Sequence, residues 1–541
     1  EAAVDDRIDF ARIEQRAIRA PIDPDNVGWL AVTRKAILFA TGGAPYLGRT
    51  SVVATKVKAW SFKERKAEDV YTFKSRDAGG EGGGGGAALA LAGDGATLLL
   101  RDGEDFKAID VSAGKPEAKE VKLDGLFMRV DPKAEYAEIF NDVWRRYRDY
   151  FYVTNMNGYD WNAIRAKYEP LLQYVGDRTD LNYVLGEMIA ELSNSHTYVS
   201  GGDLGLPKKP HVGLLGADFK LDAASGRYRI ATVFRGENDE PRYRSPLTQV
   251  GVDVKPGDYI LAINGSPLTA AENPYRLLRI APGQMVQLQV NSRPTAEGAR
   301  TVLVNPIASE MPLHYLDWVQ ANRDYVAKAS HGQIGYLHIP DMGPDGAREF
   351  IKWFFPQLRK PGLVIDVRDN GGGFMSQTMI ERLSRKVLAY NYLRGSSITG
   401  TYPAATYVGH LAALCNGTSA SDGDIFSYMF KQAKLGPLIG TRTWGGVVGI
   451  TSWGPLIDGG AVNVPEFAAI VNMDGHYAVE GEGVEPDIVV NEDVAQELAG
   501  KDPQMDKAIA VIEQQIKDKP VNLPPQPPGL NKAPAHMQPK N

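Results

Sequence analysis

Cysteine is nearly absent from this sequence. Cys415 is the only one among 541 residues, so no disulfide can form within the chain and no cysteine-rich metal knuckle can be built. Set in the apolar run Ala412-Ala413-Leu414-Cys415, it reads as a small core residue. Long apolar runs are missing too, and none reaches the ~18–20 residues that a membrane span needs. Positive charge is not in excess: 60 Lys and Arg against 66 Asp and Glu leave a net charge of -6, which argues against a dedicated nucleic-acid binder. No phosphate-cradling Walker pattern occurs, so nothing points to ATP use. The opening Glu1-Ala2-Ala3-Val4-Asp5-Asp6 lacks the basic start and apolar centre of a signal peptide, although a processed or truncated chain would read the same. What remains is an ordinary globular composition at a length that implies about three to four domains.

The patterning changes several times along the chain. Residues 1–130 hold short apolar runs such as Trp29–Val32, Ala36–Phe39, Ser51–Ala54 and Ala96–Leu100 between Gly, Pro and Asp turns, the rhythm of β-propeller blades or a sandwich. The glycines between Gly79 and Gly86 offer no side chains to pack and predict a mobile loop. Residues 131–208 turn helical: Tyr136, Ile139, Phe140, Val143, Trp144 and Tyr147 recur at the spacing of one helix face. Asp180 is placed to cap a second helix, which ends in the polar break Ser193-Asn194-Ser195-His196-Thr197. Residues 209–305 form a third unit, and residues 306–500 alternate strands with helices around Leu363-Val364-Ile365-Asp366-Val367, an apolar run fit for a strand covered on both faces. Residues 501–541 read as a C-terminal helix and a Pro-rich tail, disordered from about 519.

Two strand–turn–helix corners in the fourth unit could carry chemistry. Arg368-Asp369-Asn370-Gly371-Gly372-Gly373 is a glycine-rich turn whose N–H groups could receive an anion. Asn416-Gly417-Thr418-Ser419-Ala420-Ser421-Asp422-Gly423-Asp424 places a serine where a strand gives way to a helix. Taken alone, that segment is equally a capped helix start, with Ser421, Asp422 and Asp424 as capping groups. A nucleophilic serine also needs a base, and His196, at a helix end in a polar segment, is the best placed of 8 histidines.

Four ordered pieces together resemble the C-terminal half of the tricorn proteases, within the carboxyl-terminal processing-type serine peptidases. They are Ser195-His196, the PDZ-like third unit, Asp366–Gly373, and Ser419–Asp424 with Gly440-Thr441-Arg442-Thr443-Trp444-Gly445-Gly446. The resemblance implies a multidomain α+β fold: a β-propeller remnant, a helical domain carrying His196, a PDZ-like domain, and an α/β peptidase core of the crotonase-like type carrying Ser421. It implies Ser421 as nucleophile, His196 as general base, Glu480 as the carboxylate that orients the histidine, and Ser195 as a fourth member. The Gly372 and Asp422 N–H groups match the oxyanion hole, with one residue of latitude at Gly372, and Glu482 competes with Glu480. No cofactor and no metal is implied.

Gly446 stands where the processing peptidases of the broader group carry a lysine base, so the histidine mechanism is preferred. At the position where tricorn enzymes hold an acid for basic P1 residues, Tyr390-Asn391-Tyr392 offers none. The Gly213-Leu214-Leu215-Gly216 loop resembles the carboxylate-binding loop of PDZ domains, with a plain spacer as the equal alternative. The implied function is an ATP-independent serine endopeptidase acting on unfolded chains or oligopeptides. It would be a homo-oligomer, hexameric by resemblance, without nucleic acid or membrane span, and cytoplasmic, or periplasmic if a leader has been removed. The alternatives are a non-catalytic peptide-binding module and a C-terminal processing peptidase.

Overall fold

The computed structural model describes residues 10–20, 22–43, 53–74, 88–103, 105–111, 117–207, 209–281, 283–530, 532 and 534–537. Two compact units divide the chain, the first ending at Met128 and the second beginning at Arg129. The first unit is two antiparallel four-stranded sheets, the form of propeller blades. One contains Asn26–Val32 (β1), Ala36–Gly42 (β2), Lys56–Ser61 (β3) and Ala67–Thr72 (β4). The other contains Ala88–Leu91 (β5), Thr97–Asp102 (β6), Asp105–Asp110 (β7) and Ala118–Glu120 (β8). Period-two burial builds their shared core: Leu98 and Leu100 point in beside Leu38, Val57 and Ile109, while Leu99 stays exposed. The strand expected at Ser51–Ala54 does not form over Val53 and Ala54: Val53 is exposed, and the strand starts at Lys56, with Val57 and Trp60 turned inward. Ser51, Val52 and the Gly79–Gly86 stretch lie outside the described residues.

The second unit opens with three helices, Pro132–Tyr150 (α1), Trp161–Tyr168 (α2) and Arg178–Ala190 (α3). Asp131 caps α1 by accepting from the Lys133 and Ala134 N–H groups, and Ile139, Phe140, Val143 and Tyr147 form its buried face. The cap of α3 is Asp177, not Asp180 as expected. Asp177 reaches the Thr179 and Asp180 N–H groups, while Asp180 sits in the first turn and accepts from Gly176. A short strand, Tyr198–Ser200 (β9), follows directly on His196.

Next come Ala217–Asp222 (β10), Arg227–Val233 (β11), Tyr259–Ile263 (β12), Ser266–Pro267 (β13), the one-turn helix Pro274–Leu277 (α4), Val286–Asn291 (β14) and Arg300–Val304 (β15). These strands form an antiparallel sheet in the order β10-β11-β12-β14-β15, with β10 at an edge. Helix Met311–Ala329 (α5) leads into the peptidase-like layer: Ile334–His338 (β16), Pro344–Phe354 (α6), Gly362–Asp366 (β17), Ser376–Leu383 (α7), the hairpin Ala389–Tyr392 (β18) and Thr399–Tyr402 (β19), His410–Cys415 (β20), Asp422–Gln432 (α8) and Leu438–Gly440 (β21). It is completed by Gly449–Thr451 (β22), Ala461–Phe467 (β23), Ile488–Val489 (β24), Val494–Leu498 (α9) and Pro503–Asp518 (α10).

Strands β16-β17-β20-β21-β24 make a parallel sheet. Alternate residues sort to its two faces. Leu363, Ile365, Leu411, Ala413 and Cys415 meet α6, α7 and α8, whereas Val364, Ala412 and Leu414 meet α5 and α10. This is why β17 and β20 read as unbroken apolar runs. The sheet β22-β23-β9 joins the helical segment to this layer, and Leu456, Val462 and Val464 complete the core of α1 to α3. Beyond residue 518, where a disordered Pro-rich tail is expected, two residues are hydrogen-bonded: the His410 Nε2 donates to the Lys519 carbonyl at 2.8 Å, and Tyr392 and Thr399 hydroxyls donate to the Pro524 carbonyl. No helix among the described residues is long and apolar enough to cross a membrane.

Candidate active site

Ser421 stands at the N-terminus of α8 with φ 55° and ψ -118°, and its side chain makes no capping hydrogen bond. The capping alternative is therefore not the one adopted. Ser419 organises the corner instead, accepting from the Asn416 N–H at 3.0 Å and donating to the Val367 carbonyl at 2.7 Å. The Ala420 N–H donates to the Asn370 carbonyl at 2.8 Å, stitching this corner to the glycine turn. The Asp422 carboxylate turns inward to the Ser376 N–H and hydroxyl, and burial pushes its carboxyl up. Among the described residues the Asp422 N–H makes no hydrogen bond.

The glycine turn hangs from a buried ionic anchor. Asp366 binds Arg368 through several hydrogen bonds, the shortest 2.7 Å, and Asp502 and Gln504 also hold the guanidinium. Burial would raise the Asp366 carboxyl, but Arg368 outweighs it and holds the group below its ordinary value. Gly372 has φ 89°, and a Cβ there would lie 2.5 Å from the Ser421 Cβ and 3.0 Å from the Asp422 N. Only glycine fits that approach. The Gly372 N–H, expected in the oxyanion hole, instead donates to its own Asn370 Oδ1 at 2.9 Å. This is an Asx turn, in which a side-chain oxygen captures the N–H two residues on. The adjacent Gly373 N–H makes no hydrogen bond among the described residues.

His196 is buried, has φ 60°, and its Nδ1 lies 2.8 Å from the Val448 carbonyl. A carbonyl only accepts, so Nδ1 carries a proton, and the neutral ring has its lone pair on Nε2. Glu480, expected to orient this histidine, has backbone N–H groups as its hydrogen-bond partners. One Glu480 oxygen accepts from the Ser195 N–H at 2.9 Å, and the other accepts from Val447 at 2.8 Å and Val448 at 3.1 Å. Glu480 thus acts on the histidine at one remove, accepting from the N–H of the residue that precedes His196 and from the N–H of the residue whose carbonyl receives it. Ser195 Oγ is buried without a hydrogen-bond partner, so the serine joins the site through its N–H and not its hydroxyl. Glu482, the competing carboxylate, is exposed.

One turn links the serine corner to the histidine. The Trp444 N–H donates to the Ser419 carbonyl at 3.1 Å, and the Trp444 ring packs edge-on to His196 at 5.3 Å. Asp424 was read from sequence only as a helix-cap residue, yet its buried carboxylate accepts from Gly445 at 2.8 Å and Gly446 at 3.4 Å. The Thr443 side chain and the Ser421 N–H bond to it as well, and burial, the larger influence, pushes it up to about 6. No local pattern marks these partners; the signal available was a second acid, two residues after Asp422, in the same tight corner. Gly446 is constrained too, since a Cβ there would press on the Trp444 ring and lie 2.6 Å from Ser195 Oγ. The space a lysine base would need is filled by the residue next to His196. No hydrogen bond joins the Ser421 hydroxyl to the His196 ring in this structure. Such bonds are often long in a site without substrate.

Tyr390, Asn391 and Tyr392 lie in β18 and carry no carboxylate. Among the described residues no cluster of His, Cys, Asp and Glu is arranged to hold a metal ion. Burial pushes the Cys415 thiol far up, which leaves it inert.

Comparison with known proteins matches residues 333–490 to Peptidase family S41, residues 213–309 to the tricorn protease PDZ domain, and residues 132–190 to the tricorn protease C1 domain. Tricorn protease homolog 1 of Streptomyces coelicolor is 33% identical over 96% of this chain and 48% of its own length. A putative tricorn-like protease C-terminal subunit of Sulfurisphaera tokodaii is 32% identical over 96% of this chain and 59% of its own. The crystal structure of the tricorn protease superposes with a TM-score of 0.78 at 30% identity, covering 94% of this chain and 48% of that one. The chain thus spans about half the length of the relatives it matches.

Proposed function

From membership of the tricorn protease family within the S41 serine peptidases, to which this chain belongs, we propose that it is an ATP-independent serine endopeptidase cleaving unfolded chains or oligopeptides. Ser421 is the nucleophile and His196 its general base. The observation that carries this reading is the convergence of both residues on the turn at Trp444–Gly446, which bonds the Ser421 corner and packs on the His196 ring.

The chemistry follows from the groups present. Ser421 Oγ attacks the scissile carbonyl carbon while His196 Nε2 takes the hydroxyl proton. The imidazolium so formed keeps its Nδ1–H on the carbonyl of Val448, a residue that Glu480 holds by its N–H. The oxyanion is received by the Asp422 N–H and by a second donor from the glycine turn. That donor is Gly373, whose N–H is uncommitted, or Gly372 once Asn370 releases it. Each such donor is worth about two to three orders of magnitude in rate. His196 then gives its proton to the leaving amine, and water repeats the sequence on the acyl-enzyme. We carry over from the family a homo-oligomeric assembly working in the cytoplasm. Mass spectrometry of products from a random peptide library tests the reading and reports P1 preference at once. Internal cleavages present with the wild type and absent with Ser421→Ala are expected; the same products from both proteins would refute it.

A further inference from the structure

The Gly213–Gly216 loop resembles a receptor for a peptide's terminal carboxylate, and in the structure a carboxylate already occupies it. Glu310 Oε1 accepts from the Gly216 N–H at 2.6 Å and from the Ala217 N–H at 3.1 Å. Two earlier donors of the loop are also spent, Gly213 on the Leu278 carbonyl at 2.9 Å and Leu214 on the Ile307 carbonyl at 2.7 Å. Gly216 holds φ 74°, and a Cβ on it would lie 3.0 Å from Ser245 Oγ and Pro246 Cδ. The loop is therefore shaped for glycine and for an anion at its N–H groups.

Glu310 directly precedes α5, at the position where a side chain would ordinarily cap the helix, yet it makes no capping hydrogen bond. It reaches instead across to the loop. Among the described residues the neighbouring strand β10 pairs only with β11, so its outer edge has no ladder partner and could take an added strand. The ring of Phe219 on β10 faces Tyr275 on α4 at 6.0 Å. The Tyr275 hydroxyl is raised by burial first and then by Glu310 and Asp218, which places two acids beside this edge. An incoming peptide laid along β10 would bring its terminal carboxylate to N–H groups that Glu310 already holds.

We propose that Glu310 is the resident occupant of this carboxylate site: it closes the PDZ-like unit to free chain termini and ties the loop to α5. A peptide C-terminus enters only in exchange for Glu310. The wild-type unit accordingly treats free-acid and amidated peptides alike, and substrate selection does not depend on a terminal carboxylate. The inference stands apart from the chemistry at Ser421 and is tested by binding alone.

The measurement uses the full chain carrying Ser421→Ala and a fluorescein-labelled decapeptide with an apolar C-terminal residue, as the free acid or the amide. Fluorescence anisotropy is expected to give acid and amide Kd values within about threefold with Glu310 in place. Adding Glu310→Ala is expected to tighten the acid about tenfold or more and leave the amide unchanged, the scale of one charge-assisted hydrogen bond. Glu310→Gln, which keeps the shape but loses the charge, should shift in the same direction by less, and it decides the matter if the alanine variant does not fold. A tenfold acid preference with Glu310 intact would overturn the proposal. So would a folded Glu310 variant that does not discriminate or binds neither peptide.

Discussion

Ser421, His196, Asp369 and Val479 all hold positive φ, at 55°, 60°, 58° and 74°. Residues with a Cβ avoid this region, and Val479 is β-branched, so the surrounding bonds must hold these corners in place. The carboxylates do much of that holding, and they give two tests. Glu480→Gln should lower kcat about ten- to hundredfold with KM little changed, since three N–H donors lose an anionic acceptor. Glu482→Gln, on an exposed side chain, should leave both constants unchanged; steady-state kinetics on one fluorogenic peptide checks the pair. Asp424 gives a pH signature. Its carboxyl is pushed from 3.8 up to about 6 by burial, so the folded protein keeps a proton that the unfolded chain has already released. Its contribution is complete below about pH 4 and is lost as pH rises through about 6. Relative to Asp424→Asn, the unfolding free energy of the wild type should fall by up to about 3 kcal/mol across that window and run parallel above it. Urea unfolding at closely spaced pH values reads this directly, and parallel curves from pH 4 to 7 would contradict it. The roles of Asp424 and Glu480 were not legible locally, because their partners lie across the fold and a carboxylate's neighbours leave no mark in the spacing around it. The Ser421 corner and His196 stood out as polar breaks at the ends of strongly patterned elements, but only the resemblance gave them roles.

Strand β9 carries the chain away from His196 and pairs with β23, so the proposed base is positioned by elements from two distant parts of the sequence. The buried pair Arg178–Asp458, at 2.5 Å, pins α3 to the loop before β23. Removing one partner leaves a buried charge uncompensated, at a cost of about 3–5 kcal/mol. Asp458→Asn should therefore lower the thermal midpoint and peptidase activity together, while Asp253→Asn, in an exposed pair at 3.6 Å with Lys255, should do neither. Periodicity made α1, α3, β17 and β20 visible in the sequence, because a helix face and a doubly covered strand each impose a repeat. It could not reveal that the helices share a core with Leu456, Val462 and Val464, nor that Pro524 of the Pro-rich tail is hydrogen-bonded to the β18–β19 hairpin. Those contacts follow from topology, and the cap of α3 moved to Asp177 because two orphan N–H groups lay within its reach.

At the scale of the molecule, the first unit is two blades around one small core, and the second binds helical, PDZ-like and peptidase-like segments into one compact body. Every residue assigned to the proposed chemistry lies in that second unit. Binding an extended substrate calls on surface beyond Ser421, whereas the proposed reactivity of its hydroxyl rests on the corner at β20 and α8. A small electrophile separates the two, since it needs a reactive serine but no extended substrate. The most direct test is intact-protein and peptide mass spectrometry of the full chain after exposure to a fluorophosphonate. One adduct per chain, mapped to Ser421, abolished by Ser421→Ala and strongly slowed by His196→Ala, is the predicted result. An adduct on another residue, or equal labelling of the wild type and Ser421→Ala, would contradict the assignment of the nucleophile.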